Sequence, residues 1–115
     1  MNVEDARIYC LSKPGATEDF PFDETTLAFR VENKIFAIVD LENTAWFCVK
    51  CDADRALMLR DCYPQITPAW HMNKKYWNQL DIEHLSDVLF YELVDHSYCE
   101  VIKKLPKKIR EKYGL

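Results

Sequence analysis

Cys48 and Cys51 have the CxxC spacing found in redox and zinc sites. A structural zinc ion needs about four soft ligands. The other cysteines, Cys10, Cys62 and Cys99, offer no second pair at that spacing. A redox pair needs a lowered thiol pKa, as at a helix N-terminus. Cys51 does precede a helix start expected at Asp52, but the preferred reading makes Cys48 a small apolar strand residue and Cys51 incidental. Five cysteines is an odd number, so reduced thiols are expected. The histidines are His71, His84 and His96. Asp95-His96-Ser97 holds triad residue types, but neighbouring positions on a helix point in different directions and cannot form the relay. His71 reads as a structural histidine. Glu18-Asp19 and Asp23-Glu24 offer hard oxygen ligands, yet they bracket Phe20-Pro21-Phe22 in an extended stretch, where successive carboxylates face opposite ways. Gly15 and Gly114 are the only glycines, too few for a GxGxxG or GxxxxGKS/T phosphate loop. No catalytic residue, metal or cofactor is assigned, and the chain reads as a binding protein rather than an enzyme.

Charge is the stronger signal. The chain carries 15 Lys and Arg against 19 Asp and Glu, a net charge of -4. In residues 103–115, six cations (Lys103, Lys104, Lys107, Lys108, Arg110, Lys112) face one acid, Glu111, a balance of +5 that leaves -9 for residues 1–102. Lys74 and Lys75 form a second basic point beside Trp70, Tyr76 and Trp77. Clustered cations beside aromatic rings suit phosphates and unstacked bases. The candidate nucleic-acid residues are therefore Lys74, Lys75, Trp77, Lys103, Lys104, Lys107, Lys108 and Arg110. The competing readings are a solvated helix end for the tail and a charged hairpin guarding a sheet edge for Lys74-Lys75.

The elements that must position these residues follow from periodicity. Val3 to Leu11 has helical spacing, with Asn2 as cap and Pro14-Gly15 as stop. Leu27 to Val31, Ile35 to Val39 and Thr44 to Val49 read as a meander of strands, the first two joined at Glu32-Asn33. Asp52 opens a helix that Pro64 ends. Gln65 to Pro68 reads as an edge strand, Tyr76 to Leu80 as the last strand, and Ile82 or Glu83 to Ile102 as a third helix. Its expected buried stripe is Leu85, Val88, Leu89, Leu93, Tyr98, Val101 and Ile102. Pro106 starts a short helix with Leu105, Ile109 and Tyr113 on one face. The fold class is thus α+β, one domain over residues 1–115, a two-layer sandwich with about five antiparallel strands and helices on one face, in the order α-β-β-β-α-β-β-α. The central strands are apolar at nearly every position, which predicts cover for both sheet faces, by the tail or by another molecule such as a second copy. No run approaches the ~20 apolar residues of a membrane span, and the acidic N-terminus is unlike a signal peptide, so a cytoplasmic location is expected.

Pro14 to Phe22, Leu27 to Val31, Lys34 to Ala37, His71 to Trp77 and Asp95 to Tyr98 resemble, in order, segments of the YjbR/MmcQ family of small bacterial proteins. The residues that carry the resemblance include Pro14, Gly15, Phe29, Lys34, His71, Trp77, Ser97 and Tyr98. The resemblance implies a two-layer α+β fold like that of the frataxin homologue CyaY and of type III secretion chaperones. It also implies a DNA-binding role through a double-wing arrangement. The alternative is a homodimeric or partner-binding module with no nucleic-acid role.

Overall fold

The computed structural model describes residues 1–44 and 46–114; Ala45, assigned above to the third strand, and Leu115, the end of the tail, lie outside the described residues. The first helix, α1 (Val3–Leu11), begins where the Asn2 side chain accepts the Asp5 amide at 2.9 Å. It ends before Gly15, whose φ of +74° is a left-handed value that favours glycine. Four strands follow: β1 (Thr17–Asp19), β2 (Thr26–Val31), β3 (Lys34–Asp40) and β4 (Trp46–Lys50). Between β2 and β3, Glu32 and Asn33 take φ of 48° and 67°, the positive pair that a twisted two-residue hairpin requires. Helix α2 (Ala53–Cys62) is capped by Asp52, and β5 (Ile66–Pro68) and β6 (Trp77–Asp81) come next. Helix α3 (Asp87–Ile102) leads through Pro106 to α4 (Lys107–Arg110) and a 3-10 turn at Glu111–Tyr113.

The strands form one antiparallel sheet in the order β1-β2-β3-β4-β6-β5. The α+β class and the helices on one face are as the sequence indicates. The sixth strand is β1, placed above in an extended stretch. It is short, charged and at the edge, and its acids are already paired. Glu18 meets Arg7 at 2.5 Å and Asp19 meets Arg30 at 2.9 Å.

Register decides which residues meet the helices. Leu27, Val39, Phe47, Leu80 and Ile66 stand in one line across five strands and are all buried. Helix α3 lies over β2, β3 and β4, and its Phe90 meets the Phe47 ring edge-on, with centroids 5.4 Å apart. Burying each such side chain contributes about 1.5–3 kcal/mol, against about 0–1 kcal/mol for a surface ion pair, so this layer holds the fold.

Helix α3 starts later than the sequence reading placed it. Ile82 to Leu85 turns the chain after β6, and Ser86 caps the helix by accepting the Leu89 amide at 3.1 Å. The buried stripe then runs through Phe90, Leu93, Val94, Ser97, Tyr98, Val101 and Ile102, and Val88 is 68% exposed rather than buried. The tail packs Leu105, Ile109 and Tyr113 on the helix-side core, so it does not cross the second sheet face. That face is built on the line Ala28, Ile38, Cys48 and Gln79. Residues Phe22 and Trp70 to Met72, from the loops before β2 and before β6, border it, so this chain supplies part of the cover that had suggested a second copy.

Candidate nucleic-acid interface

The sheet separates charge along its strands. At one end stand Thr26 opposite Asp40 and Trp46 opposite Asp81; at the other stand Val31 opposite Lys34 and Lys50 opposite Trp77. The described segments that meet the first end, residues 20–29, 40–44, 46 and 81–92, contain Asp23, Glu24, Asp40, Glu42, Asp81, Glu83, Asp87 and Glu92 and no Lys or Arg. The other end gathers Lys34, Lys50, Lys75, Lys103 and Lys104, together with Glu32, Asp52 and Glu100. One end is thus free of Lys and Arg, and the other is mixed with cations in excess.

At the basic pole, the two basic segments of the sequence meet. Lys75 Nζ and Lys104 Nζ lie 5.5 Å and 5.4 Å from the centroid of one ring, that of Tyr76. Lys50 joins them. Burial first, and the Lys104 charge next, hold its ammonium below its ordinary pKa, with Glu100 opposing. Arg60 of α2 positions the loop. Its Nε donates to Asn78 Oδ1 at 2.6 Å, and its Nη2 donates to the carbonyls of both Lys74 and Trp77. Ion pairing is also uneven. Arg7, Lys13 and Arg30 are matched to carboxylates, and so are Lys103 (to Glu100) and Lys112 (to Glu32). Among the described residues, Lys34, Lys50, Lys74, Lys75, Lys104, Lys107 and Lys108 have no such partner.

Trp77 is placed differently from its assigned role. It is 9% exposed and shares the outer sheet face with Gln79, so its ring cannot stack on a base without rearrangement. Trp70 is 68% exposed, with Lys74 Nζ 4.5 Å from its centroid. Lys107 and Lys108 are exposed on α4, and Arg110 is half-buried.

Toward the acidic end of the sheet lies a groove of about 870 Å³ on the outer face, walled by Phe22, Trp46 and Trp70 over Ile38 and Cys48. Sequence reasoning missed it, since it forms between loops separated by more than forty residues of chain. Cys48 faces this groove and Cys51 faces the core, so the CxxC thiols point to opposite faces. Burial pushes both up to about 11, the reverse of a redox pair. We expect maleimide at neutral pH to label the exposed Cys62 and Cys99 first, and Cys10, Cys48 and Cys51 only on unfolding. Peptide mass spectrometry checks this; early labelling of Cys48 or Cys51 would contradict it. At the acidic pole, ligand atoms of Asp81, Glu83 and His84 lie within 4.8 Å of one another, a mostly exposed cluster of a kind common without an ion.

A family model, YjbR, matches residues 11–100. The chain belongs to the YjbR family. It is 31% identical to YjbR of Escherichia coli K12 over 113 residues, 96% of each chain. It is 30% identical to YbdF of Escherichia coli O157:H7 over 107 residues, covering 91% of this chain and 88% of that one. The crystal structure of a Deinococcus radiodurans protein with a DUF419 domain superposes with a TM-score of 0.90 at 34% identity, over 99% of this chain and 88% of that one. A Pseudomonas syringae protein shares the fold, with a TM-score of 0.73 at 23% identity over 84% and 96% of the two chains. Among the described residues, no helix is long and apolar enough to cross a membrane.

Most of the residues that carried the resemblance to YjbR do structural work here. Phe29 is fully buried, and the Tyr98 hydroxyl donates to the Pro14 carbonyl. A Cβ on Gly15 would lie 2.9 Å from the Tyr113 hydroxyl, so a side chain there would have to displace the end of that ring and would also be strained at a φ of +74°. Lys34 and His71 are exposed. Asp95-His96-Ser97 diverges as expected. Asp95 accepts from Tyr9 at 2.7 Å and Lys13 at 2.6 Å, while Ser97 turns to the sheet. His96 Nε2 accepts the Asp52 amide at 3.0 Å, which requires that nitrogen unprotonated. Burial, and then Arg55, lower the His96 pKa. The folded state therefore binds fewer protons than the unfolded state as pH falls below about 6.5, and stability falls with it. We expect His96→Gln, whose carbonyl can still accept the amide, to flatten the thermal-denaturation profile between pH 7.5 and 5.5. An unchanged slope would assign the pH dependence elsewhere.

Proposed function

We propose that this YjbR protein binds nucleic acid through its basic pole, as a binding protein without catalytic chemistry. Lys50, Lys74, Lys75, Lys104, Lys107 and Lys108 neutralise phosphates. The observation that carries the reading is the convergence of Lys75 and Lys104 on the Tyr76 ring, with no carboxylate matched to either. Unpaired like charges held together repel one another, and a polyanion relieves that repulsion. Phosphate contacts carry no sequence information, so binding of similar strength to unrelated sequences follows. A cytoplasmic location, where nucleic acid and reduced thiols coexist, belongs to the same reading.

The test is fluorescence anisotropy with labelled duplex and single-stranded DNA as salt is raised from 50 to 200 mM. With about six phosphates neutralised on a duplex, one for each of these lysines, the slope of log affinity against log salt is about -5.4. An affinity indifferent to salt, or no binding to either form at 50 mM, would sink the proposal.

A further inference from the structure

The outer groove differs from the basic pole in every respect that selects a ligand. Its volume of about 870 Å³ lies within the range of small-molecule sites, roughly 300–1,000 Å³. Its walls are aromatic, from Phe22, Trp46 and Trp70, and its formal charges are the carboxylates of Asp23 and Asp40, with no Lys or Arg among its lining residues. Asp23 accepts the amides of Thr25 and Thr26 at 2.9 Å and 2.6 Å, which lower its pKa and keep it anionic. Asp40 accepts the Glu42 amide with one oxygen at 2.9 Å, and among the described residues its carboxylate has no other hydrogen-bond partner.

This combination selects by charge and by hydration. An anionic ligand would meet two carboxylates, and the one ammonium at the walls, that of Lys74, is already held over the Trp70 ring. A neutral apolar ligand would strip water from those carboxylates without replacing it. A metal ion needs several converging oxygens, whereas the walls here are rings and Asp23 is already engaged. A weakly hydrated organic cation meets none of these objections, since ring faces attract it and carboxylates balance it. One ring already holds such a group, because Lys74 Nζ sits 4.5 Å from the Trp70 centroid.

We propose that the groove binds a small organic cation, an alkylated ammonium group, held by Phe22, Trp46 and Trp70 with Asp40 and Asp23 as counter-charge. The proposal is independent of nucleic-acid binding. It predicts a preference for positive charge at fixed shape, which choline and 3,3-dimethylbutan-1-ol isolate, since the alcohol replaces the quaternary nitrogen by carbon. The measurement is an NMR titration following the indole N–H signals of Trp46 and Trp70. The expected result is saturation by choline at a concentration at least tenfold lower than by the alcohol. Asp40→Asn, which can still accept the Glu42 amide, should weaken choline at least threefold and leave the alcohol unchanged. Trp70→Ala, on an exposed loop, should weaken choline without unfolding the chain. Equal or tighter binding of the alcohol would make this a groove for neutral apolar ligands. That outcome, or no saturable shift with either probe, overturns the proposal.

Discussion

A chain carrying both Lys75→Glu and Lys104→Glu is expected to bind a DNA duplex about 200-fold more weakly at 50 mM salt, with its log–log salt slope about 2 units shallower. The magnitude follows from counterion release. Each neutralised duplex phosphate adds about 0.9 to the slope, worth about 15-fold in affinity at 50 mM salt. The two residues are the pair that meets at Tyr76, so their loss removes the centre of the basic pole. Both side chains are exposed, and each gives up a cation–ring contact of about 0.5–1 kcal/mol, so the fold is retained. A change in total charge would also weaken binding, and a compensated variant separates the two causes. Adding Glu42→Lys and Glu83→Lys at the acidic pole restores the net charge but not the pole. If affinity returns with the net charge, the pole is not the interface. If it does not return, the position of the charge is what matters.

The convergence behind this prediction was only half legible. Lys74-Lys75 and the 103–115 tail each stand out as charge against an acidic background. Their meeting depends on where α3 ends relative to the start of β6, and no local pattern encodes that distance. The aromatic partner was misassigned for a related reason. Tyr76 and Trp77 are adjacent in sequence, but β6 begins at Trp77, which places its ring on the outer sheet face and leaves Tyr76 at the strand mouth between two lysines. The start of α3 was readable and was missed. Ser86-Asp87 is a cap followed by an acid in the first turn, whereas Leu85 and Val88 have the spacing of one helical stripe and mask it. Strand β1 escaped because a threonine and two acids at an edge carry no apolar alternation, and only Arg7 and Arg30 explain the acids. The hairpin at Glu32-Asn33, the cap at Asn2 and the stop at Pro14-Gly15 were legible because each is fixed by local backbone preference alone. The groove was not legible, although the two-sided apolar character of the central strands did announce that something must stand over the second face.

Replacing Ser97 by Ala is expected to cost about 3 kcal/mol, out of about 5–15 kcal/mol for a domain of this size, and to lower the melting temperature by about 10 °C. Ser97 is fully buried, and its hydroxyl takes the place of a missing rung in the sheet. The β3–β4 ladder ends with Ala37 opposite Val49, where a register shift on the β2 side disturbs β3 near Phe36. Beyond that point the Ser97 hydroxyl donates to the Phe36 carbonyl and accepts the Lys50 amide at 2.8 Å. Alanine leaves a buried carbonyl and an amide unpaired, each costing about 1–3 kcal/mol. The volume lost is one oxygen, whose cavity cost is well below 1 kcal/mol. Urea denaturation therefore distinguishes the causes. A loss under about 1 kcal/mol would mean that the hydroxyl only fills space. A loss near 3 kcal/mol, with faster hydrogen exchange at the Lys50 amide, would show that α3 completes the sheet through this one side chain. Because Lys50 stands at the end of β4 beside Lys104, the same bond helps hold the basic pole together. Ser97→Ala should accordingly weaken DNA binding less than the double charge reversal does, and by an amount that follows the loosening of β4 and not any change in charge.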